Sequence, residues 1–184
     1  DLPLEKLALF KDIDLPMTGD LNGSIRLTGD PMLAQGNFLT NGLTYNEQKL
    51  SDLTFEFNEK EGMFSILGQL EDEKLTFKGS TGSWFSGDYR MRFELDEFPI
   101  QVAFPTTPAG IPTRGGLTGQ FVVSGSEGVL PEIRGGFQDL RLGWMNEEFR
   151  TSTPWTLRYV NNDLQIKGLQ LVDNEGSILT VRGH

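Results

Sequence analysis

The chain is 184 residues long, 37% hydrophobic and 23% charged, the composition of a soluble folded chain and not of a disordered tail. Its 26 acidic against 16 basic side chains leave a net charge of −10, which argues against a nucleic-acid partner. With no cysteine and a single histidine, His184, the chain lacks disulfides, thiolate metal sites and the commonest general base and zinc ligand in its interior.

The first predicted element is a short helix. Pro3 suits the first helical position, and Leu4, Leu7, Ala8 and Phe10 fall near one side of a segment ending at Lys11. From there the period is two, which makes strands with one apolar and one polar face. Leu21, Gly23, Ile25 and Leu27 point one way, and Asn22, Ser24, Arg26 and Thr28 the other. The same alternation places Leu53, Phe55 and Phe57 together, then Leu75 with Phe77, then Met91, Phe93 and Leu95. The stretch 98–113 carries Pro99, Pro105, Pro108 and Pro112, too many for a central strand or a helix interior, and reads as an extended connector. Beyond it, Leu117, Gly119, Phe121 and Val123 alternate, followed by Leu140, Leu142 and Trp144, by Trp155, Leu157 and Tyr159, and by Leu164 and Ile166. Turn signals punctuate the strands at Gly29-Asp30-Pro31, Asn41-Gly42, Asn58 to Gly62, Asn161-Asn162-Asp163 and Asp173 to Gly176. The pattern amounts to about fourteen strands joined mostly by hairpins.

The two halves of the chain resemble each other. Gly19-Asp-Leu21-Asn-Gly23-Ser-Ile25-Arg-Leu27-Thr-Gly29 aligns with Gly115-Gly-Leu117-Thr-Gly119-Gln-Phe121-Val-Val123-Ser-Gly125, 96 residues on. With three further residues inserted, Gly36-Asn-Phe38 falls on Gly135-Gly-Phe137, and Leu75-Thr-Phe77-Lys-Gly79 falls later on Leu179-Thr-Val181-Arg-Gly183. The organisation expected is a first repeat over 1–97, the connector over 98–113 and a second, incomplete repeat over 114–184, both parts of one continuous sheet. The chain opens without a signal peptide and stops mid-pattern, as a piece of a longer protein does.

Catalytic signals are missing. No nucleophile elbow accompanies the serines, and the glycine-rich stretches alternate with strand residues instead of opening a helix as phosphate loops do. Glu71-Asp72-Glu73, Asp96-Glu97, Glu147-Glu148 and Asp173-Asn174-Glu175 have no calcium-loop spacing and read as solvated turn and strand residues; neighbours such as Asp96 and Glu97 point to opposite faces of an extended strand. Trp84, Trp144 and Trp155 with Tyr45, Tyr89 and Tyr159 are the residues a sugar-stacking platform would use. Trp144 and Tyr159 sit in alternating strands and read as inward packing, whereas Trp84 follows Gly82-Ser83 in a turn-like stretch.

The pattern Gly-x-Leu-x-Gly-x-φ-x-φ-x-Gly, followed by Pro and then by Gly-x-Phe, resembles the repeats of the translocation and assembly module (TamB) family and its AsmA-like relatives. The run Leu7-Ala-Leu-Phe-Lys-Asp-Ile-Asp-Leu-Pro-Met-Thr-Gly19 and the stretch Leu169 to Gly183 have the same look. The resemblance covers most of the chain, without the family's membrane anchor or its C-terminal assembly region. It implies an internal, periplasmic segment of a double-membraned bacterium, in a protein anchored in the inner membrane. The implied fold is all-β, a long, curved and twisted, mainly antiparallel sheet folded lengthwise into a trough. The implied role is non-catalytic, with no cofactor and no metal: shelter for phospholipid acyl chains in transport between the membranes, or help in outer-membrane protein assembly beside a barrel assembly protein that regions outside this chain would contact.

An apolar sheet face with no helices to cover it must close into a sandwich or barrel, or curve so that its inner face covers itself only in part, as a trough does. Glycines on that face (Gly23, Gly29, Gly119, Gly125) lower its bulk and permit bending. The inner-face residues expected in the first half are Leu21, Ile25, Leu27, Phe38, Phe55, Phe57, Phe77 and Phe93. Those in the second are Phe121, Val123, Phe137, Leu142 and Tyr159. A closed β-sandwich that binds carbohydrate and a structural spacer are the alternatives. The free edges of such a sheet predict edge-to-edge self-association.

Overall fold

Alternation of apolar and polar residues becomes alternation of exposure along almost every strand: from Leu53 to Lys60 each half-buried residue is followed by an exposed one. The computed structural model describes residues 2–3, 17–29, 33–45, 48–82, 88–103, 106, 112–126, 129–144 and 147–183. These residues form an all-β, antiparallel fold with one helical turn. The chain divides into two compact units, 1–87 and 88–184.

In the first unit the strands are β1 (Leu2–Pro3), β2 (Met17–Thr28), β3 (Leu33–Tyr45), β4 (Gln48–Lys49), β5 (Leu53–Lys60), β6 (Met63–Leu70) and β7 (Leu75–Gly82). They pair antiparallel in the order β1-β2-β3-β5-β6-β7, with β4 folded back on the end of β3. The second unit comprises β8 (Tyr89–Pro99), the helical turn α1 (Ile100–Ala103), β9 (Arg114–Gly125), β10 (Glu132–Trp144), β11 (Glu147–Thr151), β12 (Trp155–Val160), β13 (Asp163–Val172) and β14 (Ile178–Gly183). There β8, β9 and β10 run side by side, both β11 and β12 pair with β10, and β13 leads on to β14.

The expected helix over Pro3–Lys11 is corrected at its first residue. Leu2 and Pro3 are a strand, opposite Leu21 and Asp20. Proline donates no hydrogen bond and is tolerated on an edge strand. Residues 4–11 lie outside the described residues, as do Asp30, Pro31 and Trp84. Glu61-Gly62 and Asn161-Asn162 are two-residue hairpin loops with both φ angles positive (55° and 77°; 52° and 63°). This is the mirror-image turn that matches strand twist.

Asn41-Gly42 is not a turn but part of a bulge inside β3, where Gly42 and Leu43 together oppose Gly19. Gly42 has φ of +64°, the left-handed conformation such a bulge requires. Bulges recur wherever inward apolar residues stand three apart instead of two. Leu95 and Phe98 flank one, Phe137 and Leu140 another, Ile166 and Leu169 a third. Each extra residue lets the apolar set stay on one face where strict alternation would flip it.

The sequence repeat is also a repeat of register. Gly23 pairs with Phe38 in the first unit, and Gly119 with Phe137 in the second. The full row Ile25–Gly36–Phe57–Ile66–Gly79 has its equivalent in Phe121–Gly135–Leu157–Ile166–Gly183. Strand for strand, β2 to β7 correspond to β9 to β14. Phe98 and Pro99 lie opposite Leu117 and Gly116, the places that Leu2 and Pro3 hold opposite Leu21 and Asp20. The stretch read as a connector therefore opens the second repeat: its first two residues close β8, and the next four make a helical turn. The edge between the compact units falls at 87–88.

Packing is concentrated in a few places. Thr40, Leu43 and Phe64 are the largest fully buried side chains, and in the second unit Leu95, Ile100, Phe137, Trp155, Leu169 and Leu171 are buried.

Candidate functional site

The feature that sets one sheet face apart is a set of aromatic rings lying against glycines on neighbouring strands. Gly23, Phe38, Phe55, Gly68 and Phe77 form one continuous row across five strands. A Cβ built on Gly23 would stand 2.4 Å from the Phe38 ring, and one on Gly68 would stand 2.3 Å from the Phe77 ring. The second unit repeats this with Phe137, whose ring lies 2.6 Å from a Cβ placed on Gly119. Any side chain at these positions would lift the ring. Glycine on a strand costs conformational entropy and packing; a ring laid across it restores the lost contact.

The rings also stack on one another. Centroids lie 5.0 Å apart for Phe38 and Phe55, 5.9 Å for Phe38 and Phe57, 4.6 Å for Phe93 and Phe121, and 4.3 Å for Phe137 and Trp155. Such contacts add about 0.5–1.5 kcal/mol each beyond the burial of area. The result is an apolar, low-relief floor. Phe38, Phe55, Phe57, Phe77, Phe93 and Phe121 all stay half-buried instead of disappearing into a core.

Of the residues expected on this face, Leu21 and Phe137 are buried. Val123, Leu142 and Tyr159 are half-buried like the six phenylalanines above. Ile25 and Leu27 differ: they are 59% and 54% exposed. They lie on β2 beyond the short cover of β1, which reaches only Leu21 and Asp20. Gly29, expected among the inner-face glycines, is an exposed turn residue with φ of +84°.

Hollows in the first unit lie mainly over the opposite face. One of about 640 Å³ takes Asn22, Ser24, Leu39, Thr54, Glu56 and Leu67 from rows that alternate with the ring rows. Another of about 570 Å³ is lined by Ser24, Arg26, Gln35, Glu56, Asn58 and Ser65, among others. In the second unit a hollow of about 630 Å³ is bordered by Glu97, Arg114, Arg141, Glu147 and Glu148, with Arg141 ion-paired to Glu97. Among the described residues, no three His, Cys, Asp or Glu side chains are grouped to hold a metal ion.

The acidic pairs separate on inspection. Glu73 is not solvated: it is 6% exposed and accepts the Ser51 backbone N–H at 2.9 Å, with the Ser51 hydroxyl on its other oxygen. Asp96 and Glu97 are both exposed, because the bulge at Glu97 (φ +55°) breaks the alternation that would have set them on opposite faces. Asp173 caps its own loop, its Oδ1 accepting the N–H groups of Glu175 (2.9 Å) and Ser177 (2.8 Å). The Ser177 bond foremost holds this carboxyl below its ordinary value.

The aromatic residues do not assemble a sugar platform among the described side chains. Trp155 is buried against Phe137, its Nε1–H without a partner among the described residues, and Tyr159 donates to Asn162 Oδ1 at 2.8 Å. The signal that identifies the ring floor in the sequence is a glycine facing an aromatic residue in the neighbouring strand. Register was needed to see it. Comparison with known proteins finds no matching family model, no matching curated protein and no matching solved structure.

Proposed function

We propose that this chain is a non-catalytic segment whose aromatic face shelters phospholipid acyl chains in transit between two membranes. The carrying observation is that the stacked rings of Phe38, Phe55 and Phe57, and of Phe93 and Phe121, remain half-buried. Rings lying on glycines leave a smooth surface without specific polar anchors, suited to an occupant that slides. Each methylene fully removed from water on such a surface is worth about 0.8 kcal/mol. The resemblance of the repeats to the TamB and AsmA-like family supplies the setting of this proposal, the periplasm of a double-membraned bacterium. An outer-membrane client could use the same face.

The test is saturable binding of a fluorescent fatty acid, with bound phospholipid read by native mass spectrometry. Phe121→Asp puts a charge on the ring floor and is expected to weaken binding roughly tenfold or more. Leu67→Asp, on the opposite face at a position 49% exposed, should leave binding unchanged. Far-UV circular dichroism establishes that both variants keep their strands. Absence of saturable binding, or equal loss in the two folded variants, would refute the reading.

A further inference from the structure

Independently of what the ring floor binds, we infer that the open edge of β2, Gly23–Thr28, is a docking edge for one more antiparallel strand, of the kind that β8 supplies to β9. The second unit shows the completed arrangement. There β9 is paired on both sides, with β10 along one edge and with β8 along the other, Leu95 opposite Gly119, Phe93 opposite Phe121 and Met91 opposite Val123.

In the first unit β2 stands in the place of β9 and β3 in the place of β10. Leu2 and Pro3 lie opposite Leu21 and Asp20 as Phe98 and Pro99 lie opposite Leu117 and Gly116. Beyond that point no described strand covers β2. The consequence is visible in two side chains. Ile25 and Leu27 are 59% and 54% exposed, whereas their equivalents Phe121 and Val123, beneath β8, are half-buried. An unpaired edge with apolar residues is the surface that natural sheets protect. The exposed Arg26 is the sole charged side chain between Gly23 and Thr28 to guard it.

The occupant is defined by what β8 presents: apolar residues at alternate positions, Tyr89, Met91, Phe93 and Leu95, with Arg90, Arg92 and Glu94 between them. The apolar set continues the ring floor, and the backbone supplies ladder hydrogen bonds. Carried over with the repeat, this strand runs straight into Asp1, so that Leu95 meets Gly23, Phe93 meets Ile25 and Met91 meets Leu27.

The experiment places a copy of Tyr89–Asp96 directly ahead of Asp1 in the full chain and follows amide hydrogen exchange. Amides of residues 23–28 are expected to slow by about tenfold or more and the thermal midpoint to rise. An extension of the same eight residues in scrambled order should do neither. Unchanged exchange at 23–28 with the native-order extension overturns the inference, as does equal protection by the scrambled one. If the unextended chain already protects these amides in a concentration-dependent dimer, the occupant is a second copy and the inference is likewise overturned.

Discussion

The two repeats seat equivalent rings on Gly23 and Gly119, Phe38 and Phe137, but differ at a second shared glycine. Gly36 and Gly135 occupy equivalent places, yet the ring nearest a Cβ on Gly36 is Phe57 (2.5 Å) and the ring nearest one on Gly135 is Phe137 (2.7 Å). Phe57 itself is replaced by Leu157 in the second unit, where Phe93 and Phe121 supply a stacked pair instead. At this position the glycine is kept while the ring that fills it changes. A face built in this way keeps its low relief while its side chains vary.

The comparison breaks most severely where a glycine meets backbone. Gly115 has φ of +140°, and a Cβ there would stand 1.8 Å from the Arg141 carbonyl oxygen. Gly115→Ala is expected to cost about 3 kcal/mol or more in urea unfolding. Gly136, with nothing within 4 Å of a Cβ, is the matched control. Its alanine variant should stay within about 0.5 kcal/mol of the parent. Equal losses in the two variants would mean that the close approach of Gly115 to Arg141 is not what fixes the backbone there.

A smaller effect separates the two β-turn carboxylates. Glu73, between β6 and β7, reaches across to Ser51, whereas Asp173, between β13 and β14, caps its own loop. Glu73→Ala leaves the Ser51 N–H without its acceptor and should cost about 1–3 kcal/mol, with faster exchange at that amide. Asp173→Asn should cost less, and its cost should depend on pH. The folded pKa of Asp173 is lowered from 3.8, so its contribution is complete above that value and disappears as pH falls through the folded value. The difference between parent and variant should therefore shrink as urea midpoints are taken from about pH 6 into the acid range.

Much of the fold is legible in the period of two. The strands around Phe55, Phe121 and Tyr159 stand where alternation places them, and the repeat seen in Gly19 to Gly29 extends to the pairing of Gly23 with Phe38 and of Gly119 with Phe137. The bulges were not read from the sequence: the register places them between Leu95 and Phe98 and after Phe137, and Asn41-Gly42 looks like a hairpin turn until its place opposite Gly19 is known. Exposure was not legible at Ile25 and Leu27, because it is decided by a strand beside them and not by their own pattern. The burial of Glu73 likewise depends on Ser51, which arrives from a different hairpin. Local sequence carries period and turn chemistry; it carries no record of which neighbour crosses a given edge.

Within each unit, almost every ladder joins a strand to the one before it or to the next long strand, through loops as short as Glu61-Gly62 and Asn161-Asn162. Contacts this close along the polypeptide lower the entropic barrier to assembly. A thread emerging end-first can therefore add hairpins progressively, like a zip fastener closing behind its slider, without waiting for its distant terminus.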